Sequence, residues 1–456
     1  MAITISQQPT SPGMTNSDYL FEVSSNQATQ PQFQFIADLT LSGSSTVLQR
    51  VKQQPNPSSF GVFNFGQIVA SYLESDNLFK TARFATASQA GKRFQVKFGE
   101  EYGTSLSSSV NIYNGITNAT TGSPAKTGSV YYYVVDGLVE PYNAVNWNFA
   151  SSSYYQNVVT PTGGGDTIQA EYALTNAPIT KSIQVTEYET IALINGNFND
   201  SDTVAQDVYG VEVLQYDSAG TQISSSIIHN LVSNGGGPRD STNDEWGDAG
   251  IYNAQTAGTQ LLTIGVGPAN LSDAGVPLSS SCAYYTVKAF MQESAGVDDL
   301  TNYFSFRRYN IEGPACGYDG VRFAWKNQFG VWDYYTFTLQ SDSAFNIERQ
   351  EYEQEFVNYS TTTNTVAYDR ERRGASQFYN GLEQIQTANS NWLDQAEADW
   401  LRELFFSANV YQQIGDNFFP IVISSANMVE KTNPRTQNTF QYLIEFKPAN
   451  QLRPRI

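Results

Sequence analysis

The sequence predicts a mainly β, multidomain protein of β-sandwich-like modules, whose C-terminal domain is a sheet with one packed amphipathic helix. Only 15% of the 456 residues are Asp, Glu, Lys or Arg, well below the usual quarter or so. Tyr and Phe are abundant, with 28 and 27 copies, and favour pleated, half-buried surfaces. Short apolar segments with a period of two recur between turn residues, which is typical of strands.

Residues 1–17 are predicted to form an N-terminal arm. They are polar, contain Pro9 and Pro12 and show no periodicity. Such a segment lacks the apolar surface that would order it alone, so we expect it to become ordered against a neighbour.

Residues 18–150 are predicted to form a β-sandwich-like domain with one short helix. The run 33–41 alternates, and the run 131–135 is apolar throughout, which indicates a strand covered on both faces. Asn64 is predicted to cap the short helix. Further alternating positions are Tyr19, Phe21, Val23, Phe94, Val96 and Phe98.

Residues 151–300 are predicted to form a second β domain. A hairpin is expected where an alternating run ends in YDSAG, a turn closed by Gly220. The segment 234–250 has no periodicity and is predicted to be a long surface loop. Other predicted strands are 190–194, 260–266 and 284–290.

Residues 301–456 are predicted to form a β-rich domain with a helix at 394–407. Asp394 and Glu397 have the spacing of a capping box. One helix face would carry Ala396, Trp400, Leu401, Leu404 and Phe405, and would cover a sheet that includes a hairpin with Trp325, Trp332, Tyr334 and Phe337, turning at 327–330. Predicted strands are 321–325, 332–339, 421–424 and 439–446.

Charge and hydropathy exclude two classes of partner. The formal net charge is −19, and duplex affinity comes mainly from Lys and Arg on phosphates, so no specific nucleic-acid binding is expected. The sequence contains no apolar run near the roughly 18 residues of a membrane span, and its first residues lack the pattern of a signal peptide. We therefore expect no membrane insertion and synthesis in the cytoplasm.

The residue types that carry catalysis are sparse. His229 is the only histidine, and no GxSxG, GxGxxG or Walker motif occurs. Cys282 and Cys316 have no CxxC spacing, so a zinc framework is not predicted, and buried thiols are favoured over a disulfide. We therefore predict no enzyme activity, no catalytic residue and no bound cofactor.

Three other patterns have a functional and a plain interpretation. Oxygen-rich segments at 195–202 and 240–248 can hold calcium, but solvated turns are favoured. Glu348, Glu351 and Glu353 could serve a glycosidase, but the run IERQEYEQEF indicates a strand with charged outward positions. Aromatic clusters at 131–133, 154–155 and 332–335 suit a core or an interface better than sugar stacking.

The order of several motifs resembles a layout found in tail and other virion structural proteins of tailed bacteriophages, notably Bacteroidetes, crAss-like and marine phages. The motifs are PQFQFIADLTLSG, GVFNFGQIVASYLES, RFQVKFGEEYG, EYALTNAPIT, TIGVGPANL, CGYDGVRFAWKNQFGVWDYYTFT, WLDQAEADWLRELFFSANVY and QYLIEFKPANQ. They cover most of the chain, but none carries chemistry, and the loop 234–250 has no counterpart in the layout.

The resemblance implies a component of the virion, made in the host bacterial cytoplasm, that assembles with copies of itself and with other virion proteins. A position in the tail or in the tail tip and baseplate is favoured. A receptor- or glycan-binding protein of the virion surface and a head-decorating or vertex protein remain alternatives, and a polysaccharide-degrading enzyme ranks last.

Overall fold

A computed structural model describes most of residues 3–450. Outside the described residues lie 1–2, 10–12, 16–18, 42–43, 108–111, 114–116, 119–131, 138–172, 196–207, 231–259, 295–296, 314–317, 356, 369–370, 372–373, 425–440 and 451–456.

The fold is mainly β with several sheets, as the sequence predicts. The chain divides into two compact units. Unit 1 takes residues 1–313 and returns for 326–333, while unit 2 takes 314–325 and 334–456. The predicted boundary near residue 150 lies outside the described residues. The one predicted at 300 falls inside a continuous strand, Val297–Ile311, and the units part after Gly313.

The first described elements of unit 1 are a short helix, one strand that pairs in a later sheet (Phe84–Thr86), and ten strands that form two sheets around one core. These elements are β1 (Ile3–Gln7), β2 (Gly13–Met14), β3 (Leu20–Ser25), β4 (Gln34–Leu41), β5 (Val47–Gln53), β6 (Phe60–Asn64), α1 (Gly66–Ala70), β7 (Phe84–Thr86), β8 (Gly91–Tyr102), β9 (Ile112–Tyr113), β10 (Thr117–Asn118) and β11 (Tyr132–Val135). One sheet has the order β1-β3-β6 and the other β2-β11-β8-β4-β5, with β9 and β10 also pairing β8.

The predicted N-terminal arm is wrong, because its described residues belong to these sheets. Strand β1 pairs antiparallel with β3, and β2 pairs parallel with β11. Ile3 and Met14 are buried. Two short strands that each bury one apolar residue lack the length that makes a period visible in the sequence.

The predicted strands of the first domain are confirmed, with one difference in β4. Phe35, Ala37 and Leu39 are buried as the alternation indicates, but Asp38 is buried as well. Arg50 of β5 binds both carboxylate oxygens of Asp38 at 2.6 Å. The charge of Asp38 is therefore paired, although it lies on a second buried face of β4. Strand β11 is buried at all four residues, as predicted.

Two further sheets of unit 1 surround a second core. Their elements are β12 (Thr180–Ile183), β13 (Thr190–Asn195), β14 (Val208–Tyr216), β15 (Gln222–His229), β16 (Gln260–Gly265), α2 (Pro268–Asp273), β17 (Tyr284–Ser294) and β18 (Val297–Ile311). One sheet has the order β12-β18-β17-β14-β15 and the other β13-β16-β7. The predicted hairpin is confirmed as β14–β15, and Gly220 in its turn has φ +80°. The predicted loop 234–250 lies outside the described residues.

The segment 326–333 is a tight turn that packs within unit 1. Asn327 Nδ2 donates to the carbonyl of Leu174 at 2.8 Å, and Trp332 Nε1 donates to the carbonyl of Asp76 at 2.7 Å. Lys326 forms an ion pair with Asp136. The turn at 327–330 is the one that the sequence predicts, and Gly330 has φ +78°.

In its described residues, unit 2 contains a long sheet and one helix. Its elements are β19 (Val321–Lys326), β20 (Trp332–Phe337), β21 (Ser341–Glu353), β22 (Val357–Ser360), β23 (Thr365–Tyr368), β24 (Ala375–Asn389), α3 (Gln395–Phe406), β25 (Val410–Ile414), β26 (Asn417–Ile423) and β27 (Leu443–Pro448). The sheet has the order β20-β19-β25-β26-β27-β24-β21, and β22 pairs with β23.

The predicted helix and its capping box are confirmed. Asp394 accepts the N–H of Glu397 at 2.8 Å, and Glu397 accepts the N–H of Asp394 at 3.0 Å. Trp400 contacts Trp325 of the sheet, with ring centroids 5.1 Å apart. Ala396 is exposed and Ala398 is buried instead, because at 100° per residue Ala396 lies about 115° from the centre of the buried stripe.

Candidate assembly surface

His229 and Cys282 lie in the settings that the sequence favours, a strand end and a buried free thiol. His229 ends β15 and is half-buried. Cys282 is a buried free thiol whose Sγ donates to the carbonyl of Tyr284 at 3.3 Å, and burial raises the pKa of that thiol. A raised pKa leaves less of the nucleophilic thiolate at neutral pH. Cys316 lies outside the described residues.

The described aromatic clusters belong to the core. Tyr132, Tyr133, Trp332 and Tyr334 are buried, so their rings are not offered to a sugar. Tyr131 and the cluster 154–155 lie outside the described residues.

The acidic segment 240–248 lies wholly outside the described residues. Of the segment 195–202, only Asn195 is described. Within the described part, no three His, Cys, Asp or Glu side chains are grouped as metal ligands. The same residues include no helix with the length and apolar content of a membrane span.

A small polar cavity lies in unit 1 beside Arg307. This arginine is 2% exposed, and its Nη1 donates to the carbonyl of Ala177 at 2.8 Å. Its Nη2 has no hydrogen-bond partner among the described residues. Lys181 and Glu189, which form a buried ion pair, also line the cavity. The space fits about one water molecule, which could accept from Nη2, and is too small for an organic substrate.

The most exposed feature of the described chain is a β ribbon in unit 2. We call residues 341–389 the ribbon: strands β21 and β24, with the short hairpin β22–β23 between them. Strands β21 and β24 pair antiparallel along thirteen positions, from Ser341↔Ala388 to Glu353↔Ala375. Among the described residues, strand β24 pairs with the rest of the sheet only at Gln386–Asn389, so most of the described ribbon is two strands wide.

Both faces of the ribbon are open. Twelve of the thirteen residues of β21 are exposed, and only Ser341 is half-buried. Residues that face each other across an antiparallel pair lie on one face. Phe345, Ile347 and their neighbour Leu382 therefore share one face, whereas Tyr352 and Tyr379 lie on the other.

The ribbon exposes more apolar surface than a solvated hairpin needs. Phe345, Ile347, Tyr352, Phe378 and Tyr379 are 58, 52, 42, 49 and 43% exposed. These side chains together leave roughly 500 Å² in water, divided between the two faces of the ribbon. An isolated two-stranded hairpin is only marginally stable in water, so an exposed ribbon of this kind suits contact with another protein.

The candidate glycosidase carboxylates lie on this same strand. Glu348, Glu351 and Glu353 are all exposed on β21. Glu348 points to the face opposite that of Glu351, because the residues are three apart on a strand. They are charged outward positions, as predicted, but the intervening residues are exposed too.

The polar residues of the ribbon make it acidic. Strand β21 contains Asp342 and the three glutamates against a single base, Arg349. Arg349 has no hydrogen bond or ion pair with any residue that the structure describes. Glu351 accepts a hydrogen bond from Gln377 Nε2 at 3.1 Å. An acidic ribbon repels nucleic acid, so its apolar residues suit contact with protein.

Comparisons with known proteins return little. No family model matches the sequence, and no curated protein matches it. Among solved structures, trypsin-activated α2-macroglobulin from Escherichia coli aligns with 86% of this chain at 8% identity and a TM-score of 0.15. The chain spans 23% of that protein's length.

Proposed function

We propose that this chain is a non-enzymatic structural component of a tailed-phage virion, in the tail or in the tail tip and baseplate. The single observation that carries the assembly role is the ribbon, whose two faces expose apolar side chains along a long strand. The resemblance of the sequence motifs supplies the kind of particle.

Physical cost supports an assembly role for the ribbon. Aromatic side chains in water forgo about 25 cal/mol per Å² of apolar burial. A long terminal strand with apolar residues is also a hazard for aggregation unless a specific contact covers it. A subunit that is covered in a particle is protected from both effects, which favours a structural protein over a free monomer.

Immunogold electron microscopy tests the place of the protein. Antibodies raised against the purified chain would be applied to intact phage particles from the source culture. We expect label at one end of the tail. Label over the heads would move the protein to the capsid surface, and particles without label would overturn the proposal. A phage structural protein known to be in the tail serves as the positive control.

The exposed aromatic rings of the ribbon favour a second candidate, a receptor- or glycan-binding protein of the virion surface. Tyr352, Phe378 and Tyr379 could stack on sugar rings, because an aromatic face packs well on an apolar sugar face. Adsorption of the purified protein to host cells separates the two candidates. Binding that Tyr352→Ser and Phe378→Ser abolish would favour receptor recognition over assembly.

A further inference from the structure

We infer that the ribbon binds a second copy of this chain, by antiparallel pairing of the free edge of β21 with the same edge in the partner. The inference rests on the proposed assembly role and adds the partner and the register. Strand β21 is the terminal strand of its sheet among the described residues. Alternate residues along its thirteen positions thus present outward N–H and C=O groups on which another strand can pair.

The sequence of β21 is self-complementary about its central residue, Ile347. If two copies pair antiparallel across a two-fold axis at Ile347, all thirteen residues overlap. The facing pairs are Ser341 with Glu353, Asp342 with Tyr352, Ser343 with Glu351, Ala344 with Gln350, Phe345 with Arg349, Asn346 with Glu348, and Ile347 with itself. No acid faces an acid, although four of the thirteen residues are acidic.

The central rows of side chains support this register. Ile347 already faces Leu382 of its own ribbon, so pairing would continue an apolar row across four strands. In the next row Arg349 would lie over Phe345 of the partner, twice by symmetry. A guanidinium is attracted to an aromatic face, and Arg349 has no competing hydrogen bond or ion pair among the described residues.

Neighbouring registers are worse in overlap or in charge: an axis at Asn346 opposes no like charges but pairs only the eleven residues 341–351. A two-fold axis at Glu348 sets that glutamate against itself, and an axis at Arg349 sets two guanidinium groups together. Like charges directly opposite each other destabilise a strand pair. The axis at Ile347 gives the longest overlap and places no like charges directly opposite each other. Two-fold contacts are also the commonest symmetry of soluble oligomers.

Edge pairing would join the backbones of two thirteen-residue strands and bring the facing side chains of each row into contact. This pairing extends the sheet and leaves both of its faces in water, so the apolar side chains on those faces remain for contacts with other subunits or proteins. The net charge of −19 repels a second copy at long range, so association is best measured near 0.15 M salt, at which the Debye length is about 8 Å.

Cysteine cross-linking of the purified full chain tests the register. Facing Cα atoms in an antiparallel pair lie about 4.5–5.5 Å apart, within the range of a disulfide. With copper phenanthroline as oxidant, Ile347→Cys should give a covalent dimer on a non-reducing gel. Ala344→Cys is the matched control, because two copies of residue 344 would lie about 20 Å apart in this register.

Sedimentation velocity tests the contact without a cross-link. The wild-type chain should dimerise with increasing concentration, and Ile347→Glu should weaken dimerisation at least about tenfold, because it opposes two carboxylates at the axis. Val366→Glu makes the same exchange at a 62% exposed position on the hairpin β22–β23 and should leave the dimer unchanged. A thermal melt of each variant checks that it is folded.

The outcomes separate the inference from the proposed function. A monomer at every concentration, equal cross-linking at positions 344 and 347, or equal loss with Val366→Glu would overturn the inference. Label on particles would still support a virion protein in those cases, with another protein as the partner of the ribbon. A dimer linked through position 347 without label on particles would keep the inference and overturn the virion assignment.

Discussion

The hydroxyl oxygen of Tyr133 accepts a hydrogen bond from the backbone N–H of Leu261 at 2.7 Å. Tyr133 lies on β11 and Leu261 on β16, in two different sheets of unit 1. Both residues are buried, and burial raises the pKa of the tyrosine well above its usual value. The hydroxyl therefore stays protonated and serves as a fixed acceptor between the two sheets.

Tyr133→Phe should lower the free energy of unfolding by about 1–3 kcal/mol, because it leaves the buried N–H of Leu261 without its acceptor. Chemical denaturation followed by tyrosine and tryptophan fluorescence measures the loss. Tyr359→Phe is the control, since Tyr359 is exposed on the hairpin β22–β23. Equal stability of the two variants would show that water replaces the lost acceptor.

The buried ion pair beside the cavity gives a second prediction. Lys181→Met should cost about 3–5 kcal/mol, because it removes the cation that forms an ion pair with the buried Glu189. Adding Glu189→Met should recover much of that loss, since the buried carboxylate is then removed as well. A double-mutant cycle by urea denaturation measures the coupling, and additive losses would mean that water or another cation compensates Glu189 in the single variant.

Local signals made the hairpin β14–β15 and helix α3 predictable. Gly220 supplies the positive φ of a turn, and Asp394 with Glu397 supplies a capping box, so short stretches of sequence determine both elements. Strand β1 was not predictable in this way. Its pairing with β3 depends on a partner more than ten residues away.

The sequence pattern of a strand also does not reveal when its second face is buried. Asp38 is buried because Arg50 of the neighbouring strand pairs with it, and no period in β4 shows that. The ribbon shows the reverse case. Phe345 and Ile347 alternate with polar residues, which predicts a strand with one covered face, yet the chain itself covers neither face. Alternation shows that a face is apolar and does not show which molecule covers it.

The capping box of α3 gives a third prediction. Asp394→Ala should lower stability by about 0.5–2 kcal/mol, because the N–H of Glu397 loses its acceptor at the helix start. Asp399→Ala is the control, since Asp399 only accepts a hydrogen bond from Gln395 on the exposed side of the helix. Thermal unfolding monitored by circular dichroism ranks the two variants. A control as unstable as Asp394→Ala would argue that the box contributes little.

Gly330 and Gly275 give the last prediction, because they share a left-handed backbone and differ in surroundings. Their φ angles are +78° and +83°. A Cβ on Gly330 would lie 1.5 Å from the carbonyl oxygen of Asp136, whereas a Cβ on Gly275 would meet nothing within 4 Å. Gly275→Ala should therefore cost only the backbone term, about 1–2 kcal/mol.

Gly330→Ala should cost clearly more than Gly275→Ala, because the contact with Asp136 is made by backbone that must shift as a whole. The turn at 327–330 would move away from Asp136, and the ion pair of Lys326 with Asp136 would weaken with it. Parallel urea titrations of the two variants isolate the steric term, since the strain at positive φ is common to both. Equal losses would mean that the turn can move without cost and that its packing within unit 1 is loose.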